Sequence, residues 1–300
     1  MSASAEAITT YKPEGTLALW LLMGIYAVAR GLQVYPGRTP MLTVVALHVA
    51  PPALFALLHG SRLYGWRGIG VFAAICLFVG DAVENVGIRS GFPFGHYYFT
   101  DLMGPKISGV PVLLALAYVG MAYLSWVLAC SILGLWGARA ESHARLVLPL
   151  LASSIMVSWD LSQDPIWSTV LRAWTWQDGG VYFGVPVSNF LGWFLTVYVI
   201  FQMFAIYLFR FSHSLPVASP SYLRPAVLFY AISAAGNLLL LLPNKQAAVV
   251  FDPAGIRWRV RSLTEACALV TLLTMGSFAI LAWKRTADQH SAMSSRQSVA

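Results

Sequence analysis

Two pairs of acidic residues stand out in a chain that is otherwise greasy. Asp81 and Glu84 lie three apart at the end of one apolar run, and Asp160 and Asp164 lie four apart at the end of another. On a helix, either spacing puts both carboxyls on one face. Each pair leads into a loop dense in Gly and aromatic residues, GIRSGFPFGHYYF (87–99) after the first and LRAWTWQDGGVYFG (171–184) after the second. Acids in apolar surroundings are costly unless they are paired, protonated or used. A carboxyl held at the rim of an aromatic bundle can act as a general acid toward an inert carbon–carbon double bond, and a second can orient water or take its proton. The cation formed in between is stabilised by negative charge and aromatic faces. We therefore take Asp81, Glu84, Asp160 and Asp164 as candidate catalytic residues. Arg89, Phe94, His96, Tyr97, Trp159, Tyr182 and Asn189 are candidate substrate-binding residues. Arg89 and Lys106, in the connection after the first pair, are placed to neutralise it. Asp164 precedes Pro165, which predicts a helix end there.

The rest of the chain must position these groups. Of 300 residues, 58% are hydrophobic and 10% charged, against about 25% charged in soluble domains. Apolar runs of spanning length predict an all-α polytopic membrane protein, a bundle of about eight transmembrane helices joined by short interfacial hairpin loops. The runs lie near 16–34, 40–59, 68–86, 109–136, 145–163, 185–209, 224–242 and 262–283, in a single domain covering 1–300. Pro51 and Pro52 should interrupt the second, and the tails 1–15 and 285–300 should be disordered. With eight spans, both acidic loops open on the same membrane face. The N-terminus lacks the basic segment of a cleaved signal peptide, so the expected location is the cell (inner) membrane. The net charge of +7 is spread singly over the loops, which points to lipid headgroups rather than nucleic acid. Cys76, Cys130 and Cys267 sit inside apolar runs and read as core residues. The six His show no metal-ligand spacing, so metal catalysis is not expected, with carboxylate-only Mg²⁺ coordination the one alternative left open.

GVPV occurs at 109–112 and again at 184–187, each time opening a span after an acidic helix end and an aromatic loop. This order predicts an internal repeat. Residues 172–183 read as a hairpin around a QDGG turn, with Asp178 as a turn residue, and 248–261 as a second hairpin around DPAG. His48 reads as a core histidine, and Asn237 as a polar contact between helices. Ser262 and Glu265 have the spacing of a capping box.

The strings ENVGIRSGFPFGHYYFTDLMGPKISGVPV (84–112) and SWDLSQDPIWSTVLRAWTWQDGGVYFGVPVSNFLGW (158–193) resemble the signature regions of the membrane-bound carotenoid biosynthesis family of the γ-carotene 1′-hydroxylase and bisanhydrobacterioruberin hydratase type. The resemblance implies cofactor-independent addition of water across the terminal 1,2 double bond of an acyclic or monocyclic, lycopene-like carotenoid. Other carotenoid-pathway enzymes would be neighbours. It assigns no role to the four acids, which rests on their chemistry. Two other readings stay open at this stage: a non-catalytic carotenoid-binding or scaffold protein, which the aromatic loops also fit, and a small-solute transporter, which the repeat and the membrane acids also fit.

Overall fold

The computed structural model describes residues 16–35, 37–137, 144–211, 215–243 and 248–297. The fold is an all-helical bundle of α1 (Thr16–Leu32), α2 (Met41–Ser90), α3 (Val112–Leu133), α4 (Ala144–Leu161), α5 (Val187–Phe211), α6 (Pro220–Leu239), α7 (Val260–Thr271) and α8 (Ser277–Gln297). Five helical segments among the described residues are long and apolar enough to cross a membrane: 41–90, 112–133, 144–170, 187–211 and 260–288. Along α5 the exposed residues Leu191, Leu195, Val199, Met203 and Ile206 repeat every three or four positions. An outward stripe of that kind belongs against hydrocarbon, not water. The molecule is a membrane protein.

α2 holds two of the expected spans in one element. A straight helix of its 50 residues would run about 75 Å. The only non-helical backbone inside it is Gly65, at φ 69° and ψ 165°. Gly60 lies against the Ile69 side chain, although nine residues of straight helix would separate them by about 13.5 Å. The chain therefore reverses at Gly65 and α2 is a helical hairpin. Pro51 and Pro52, expected to interrupt the second span, instead lie inside continuous helix.

α3 is the central element. It packs against α2, α4, α6 and α8 and buries Tyr118, Tyr123 and Trp126 almost completely. Polar links cross the bundle as well. Arg30 on α1 donates to Asn237 on α6, and Asn237 Nδ2 donates to Ser162 Oγ at 2.8 Å, the helix-to-helix role expected of Asn237. All three cysteines are buried thiols.

Both copies of GVPV adopt the same form. Gly109 and Gly184 have φ of 91° and 89°, Val110 and Val185 are buried, and Val112 and Val187 begin α3 and α5.

Six short strands lie outside the helices: β1 (Tyr97–Phe99), β2 (Lys106–Ile107), β3 (Val110–Pro111), β4 (Trp174–Trp176), β5 (Val249–Phe251) and β6 (Arg257–Arg259). β2–β3 and β5–β6 are local antiparallel pairs, the latter being the hairpin expected around DPAG. The hairpin expected at 172–183 does not form. β4 pairs instead with β1, in the register Tyr97↔Trp176, Tyr98↔Thr175, Phe99↔Trp174, so the loops after the two acidic pairs join into one ribbon.

Three further expectations are corrected. Asp164 has helical backbone angles, and the chain continues past it through a wide turn at Pro165–Val170. Such wide turns often sit at functional sites. α7 starts at Val260 with Arg259 as its cap, so Ser262 and Glu265 form no capping box, and Glu265 pairs with Arg261 at 2.7 Å. The tail 1–15 lies outside the described residues, whereas α8 carries helix as far as Gln297. Its last turns contain no Gly or Pro to stop it.

Candidate active site

The β1–β4 ribbon explains how the site is built. Side chains alternate along a strand, so Tyr97 and Phe99 point inward with Trp174 and Trp176 while Tyr98 is exposed. These four inward rings roof a cavity of about 460 Å³, its open mouth included. The Tyr97 and Trp176 ring centroids are 5.0 Å apart. The walls come from α2 (Glu84), α3 (Leu114), α4 (Trp159, Asp160), Gln163 and Asp164 just beyond it, and α5 (Asn189, Trp193), with Phe94 beside the roof.

Three of the four candidate acids meet here. Glu84 is 3% exposed, Asp160 4% and Asp164 1%. Glu84 accepts from the hydroxyls of Tyr97 and of Tyr118, the latter at 2.8 Å. Tyr118 is stacked on Trp193 with centroids 4.7 Å apart. Asn189 Nδ2 bridges the other two acids, donating to Asp160 Oδ2 at 3.1 Å and to Asp164 Oδ2 at 2.6 Å. Trp174 Nε1 donates to Asp164 Oδ1 at 2.9 Å. Five of the six carboxyl oxygens thus have a donor. Among the described residues Asp160 Oδ1 has none, and Asp160 lines the cavity. Burial, and then the neighbouring Glu84, push the Tyr97 phenol above its ordinary pKa, so it remains a proton-bearing donor on the roof.

Asp81 is left out. It is exposed and absent from the cavity wall, one helical turn before Glu84 on the outer side of α2. The expected cations do not reach the acids either. Lys106 is held by Asp101 at 3.0 Å and by the Phe99 carbonyl at 2.9 Å, and Arg89 is exposed. Among the described residues no Lys or Arg forms an ion pair with Glu84, Asp160 or Asp164. His96 is also outside, bonded to the exposed Asp178 at 2.9 Å. Tyr182 donates to the Leu161 carbonyl at 3.1 Å, bracing the end of α4 rather than facing the cavity. Phe94, Tyr97, Trp159 and Asn189 do line it. Asp81→Asn should therefore leave activity within about twofold of wild type, because Asp81 is exposed and does not line the cavity, and exposed substitutions usually have small effects. Pigment analysis checks this, and a large loss would return Asp81 to the site.

Several lining residues had escaped the sequence reading. Gln163 is 6% exposed and lines the cavity, and its side-chain amide makes no hydrogen bond among the described residues. Trp174 and Trp176 were assigned to a hairpin, and Tyr118 to a plain apolar run. Among the described residues no group of three or more His, Cys, Asp or Glu is arranged to hold a metal ion.

A polytopic helical membrane protein with a buried, acid-lined and aromatic-roofed cavity is thus the class that fold and geometry define. Residues 39–252 match the family of carotenoid biosynthesis proteins, and the chain belongs to that family. The match spans both halves of the ribbon and every wall of the cavity. Bisanhydrobacterioruberin hydratase of Haloarcula japonica is 32% identical over 115 residues, which is 38% of this chain and 37% of that protein. The similarity therefore covers well under half the length of that relative. No solved structure matches the chain.

Proposed function

We propose that the protein is a carotenoid 1,2-hydratase, a hydro-lyase that adds water across the terminal double bond of an acyclic carotenoid end without a cofactor. In this reading Asp160 carries the proton and gives it to the less substituted carbon. The O–H bond breaks, a C–H bond forms, and positive charge develops on the dimethyl-substituted carbon. Glu84 and the rings of Trp174, Trp176 and Trp193 stabilise that charge. Water held by the Gln163 amide adds to the cation, and its surplus proton returns to the Asp160 carboxylate, so the acid is regenerated. Asn189 and Trp174 hold Asp164 beside Asp160 as the group that keeps this acid in place.

The observation that carries the reading is the Asp160 oxygen that has no donor among the described residues, in a cavity roofed and largely walled by aromatic rings. A membrane-dissolved hydrocarbon is the substrate such a cavity suits, and the similarity to a hydratase supports the same chemistry. Coexpression in a lycopene-producing host, followed by mass analysis of the pigments, tests it. A gain of water on lycopene is expected. Lycopene recovered unchanged beside well-inserted protein would overturn the assignment and favour a carrier.

A further inference from the structure

A second cavity, of about 480 Å³ with its mouth included, abuts the first. The two share Leu114, Trp159, Gln163 and Trp174 as walls. Its own lining is largely apolar: Val45 and Val49 on α2, Ala117 on α3, Met103 and Trp167. His48, Tyr26 and the Arg30 terminal nitrogen among its lining groups have partners within the protein. His48 bonds the Val44 carbonyl at 2.7 Å and Gln33 Oε1 at 2.9 Å. Tyr26 donates to Ser233 Oγ at 3.0 Å, and Arg30 bonds Asn237 and the Ser233 carbonyl. The unpartnered Arg30 Nε lies against the Gly236 backbone. Where the cavities join, the Trp167 and Trp174 rings lie parallel within 2°, centroids 6.5 Å apart.

We propose that this second cavity is the corridor for the conjugated polyene of the molecule whose end reacts in the first. The inference rests on the hydratase reading for its reacting end. The walls suit a flat, apolar segment, with parallel indole faces for it to lie along and small aliphatic side chains beside them; the polar atoms without a partner among the described residues are Arg30 Nε, Trp159 Nε1 and the Gln163 amide, the last two on the walls shared with the first cavity. Leu114, Trp159, Gln163 and Trp174 wall both cavities, which sets the corridor directly beside the acids of the first. Tyr26 and Arg30 come from α1, outside the residues that match the family. Ala117 and Val49, inside the matched residues, set the corridor's width and with it the chain-length selectivity of the site.

The test compares lycopene with myrcene, a short terpene that has the same kind of terminal double bond and no long polyene. Wild type should prefer lycopene in kcat/KM by tenfold or more and retain lycopene through purification in detergent. Ala117→Phe and Val49→Phe should each lower the lycopene-to-myrcene ratio about tenfold, the scale of a pocket filled by a few carbons, and should co-purify less pigment. A wild type that treats both substrates alike would overturn the corridor, as would variants whose ratio and pigment content both stay within twofold of wild type. If a variant fails to accumulate, the wild-type preference and pigment retention decide. If wild type retains lycopene but hydrates nothing, and Ala117→Phe or Val49→Phe sheds it, the hydratase reading falls and the corridor stands. Hydration with unchanged selectivity in both variants gives the reverse.

Discussion

Asp160→Asn is expected to lower hydration by about a hundred- to ten-thousand-fold, the usual worth of a positioned general acid. The change is nearly isosteric. The new carboxamide oxygen can still accept from Asn189, which now reaches Asp160 Oδ2 at 3.1 Å, so the bundle should insert and fold as before. What disappears is the proton that the proposal places on Asp160, the one cavity-lining carboxyl group with an oxygen that has no donor among the described residues. Protein level in isolated membranes and pigment mass together separate loss of chemistry from loss of protein. Normal product from this variant would remove Asp160 from the mechanism and leave the acid unassigned.

Glu84→Gln should cost on the order of a hundredfold in kcat with little change in KM, as when one preorganised electrostatic partner of a transition state is removed. Glu84 has both oxygens taken by tyrosine hydroxyls. Those hydroxyls can rotate to accept from a carboxamide, so the local packing survives. The negative charge beneath the aromatic roof does not. A rise in KM with kcat intact would mean that Glu84 only helps to shape the cavity.

Much of this arrangement could be read from residue order, and the exceptions share a cause. The apolar runs mark the helices because spanning length and composition are local properties. Both GVPV strings open helices because a glycine turn and a proline act within a few residues of themselves. The partner of β4 is different. The stretch 172–183 carries a plausible local turn, and nothing in it says that Trp174 and Trp176 pair with Phe99 and Tyr97, which lie more than seventy residues earlier. The inward face of α2 was equally hidden. Asp81 and Glu84 are close enough in helical angle to share a side, and only the position of α3 with Tyr118 decides that Glu84 goes in and Asp81 stays out. Gln163 drew no notice because an amide gives no acid–base signal, and its place depends on the turn that carries α4 past Pro165. That residue's missing N–H predicts a stop, yet the wide turn absorbs it.

The matched glycines give the molecule an internal calibration. Gly109 and Gly184 hold the same left-handed backbone angle within 2°, so an alanine at either position meets the same torsional cost, about 1–2 kcal/mol. Their surroundings differ: a methyl group at 109 would come no nearer than 3.6 Å to Ile88, whereas at 184 it would meet Thr169 Oγ1 at 2.7 Å. Subtracting one alanine variant from the other cancels the shared backbone contribution and leaves the steric one. One chain thereby measures how tightly the second copy of the motif is pressed against the acid-bearing half, compared with the looser fit of the first.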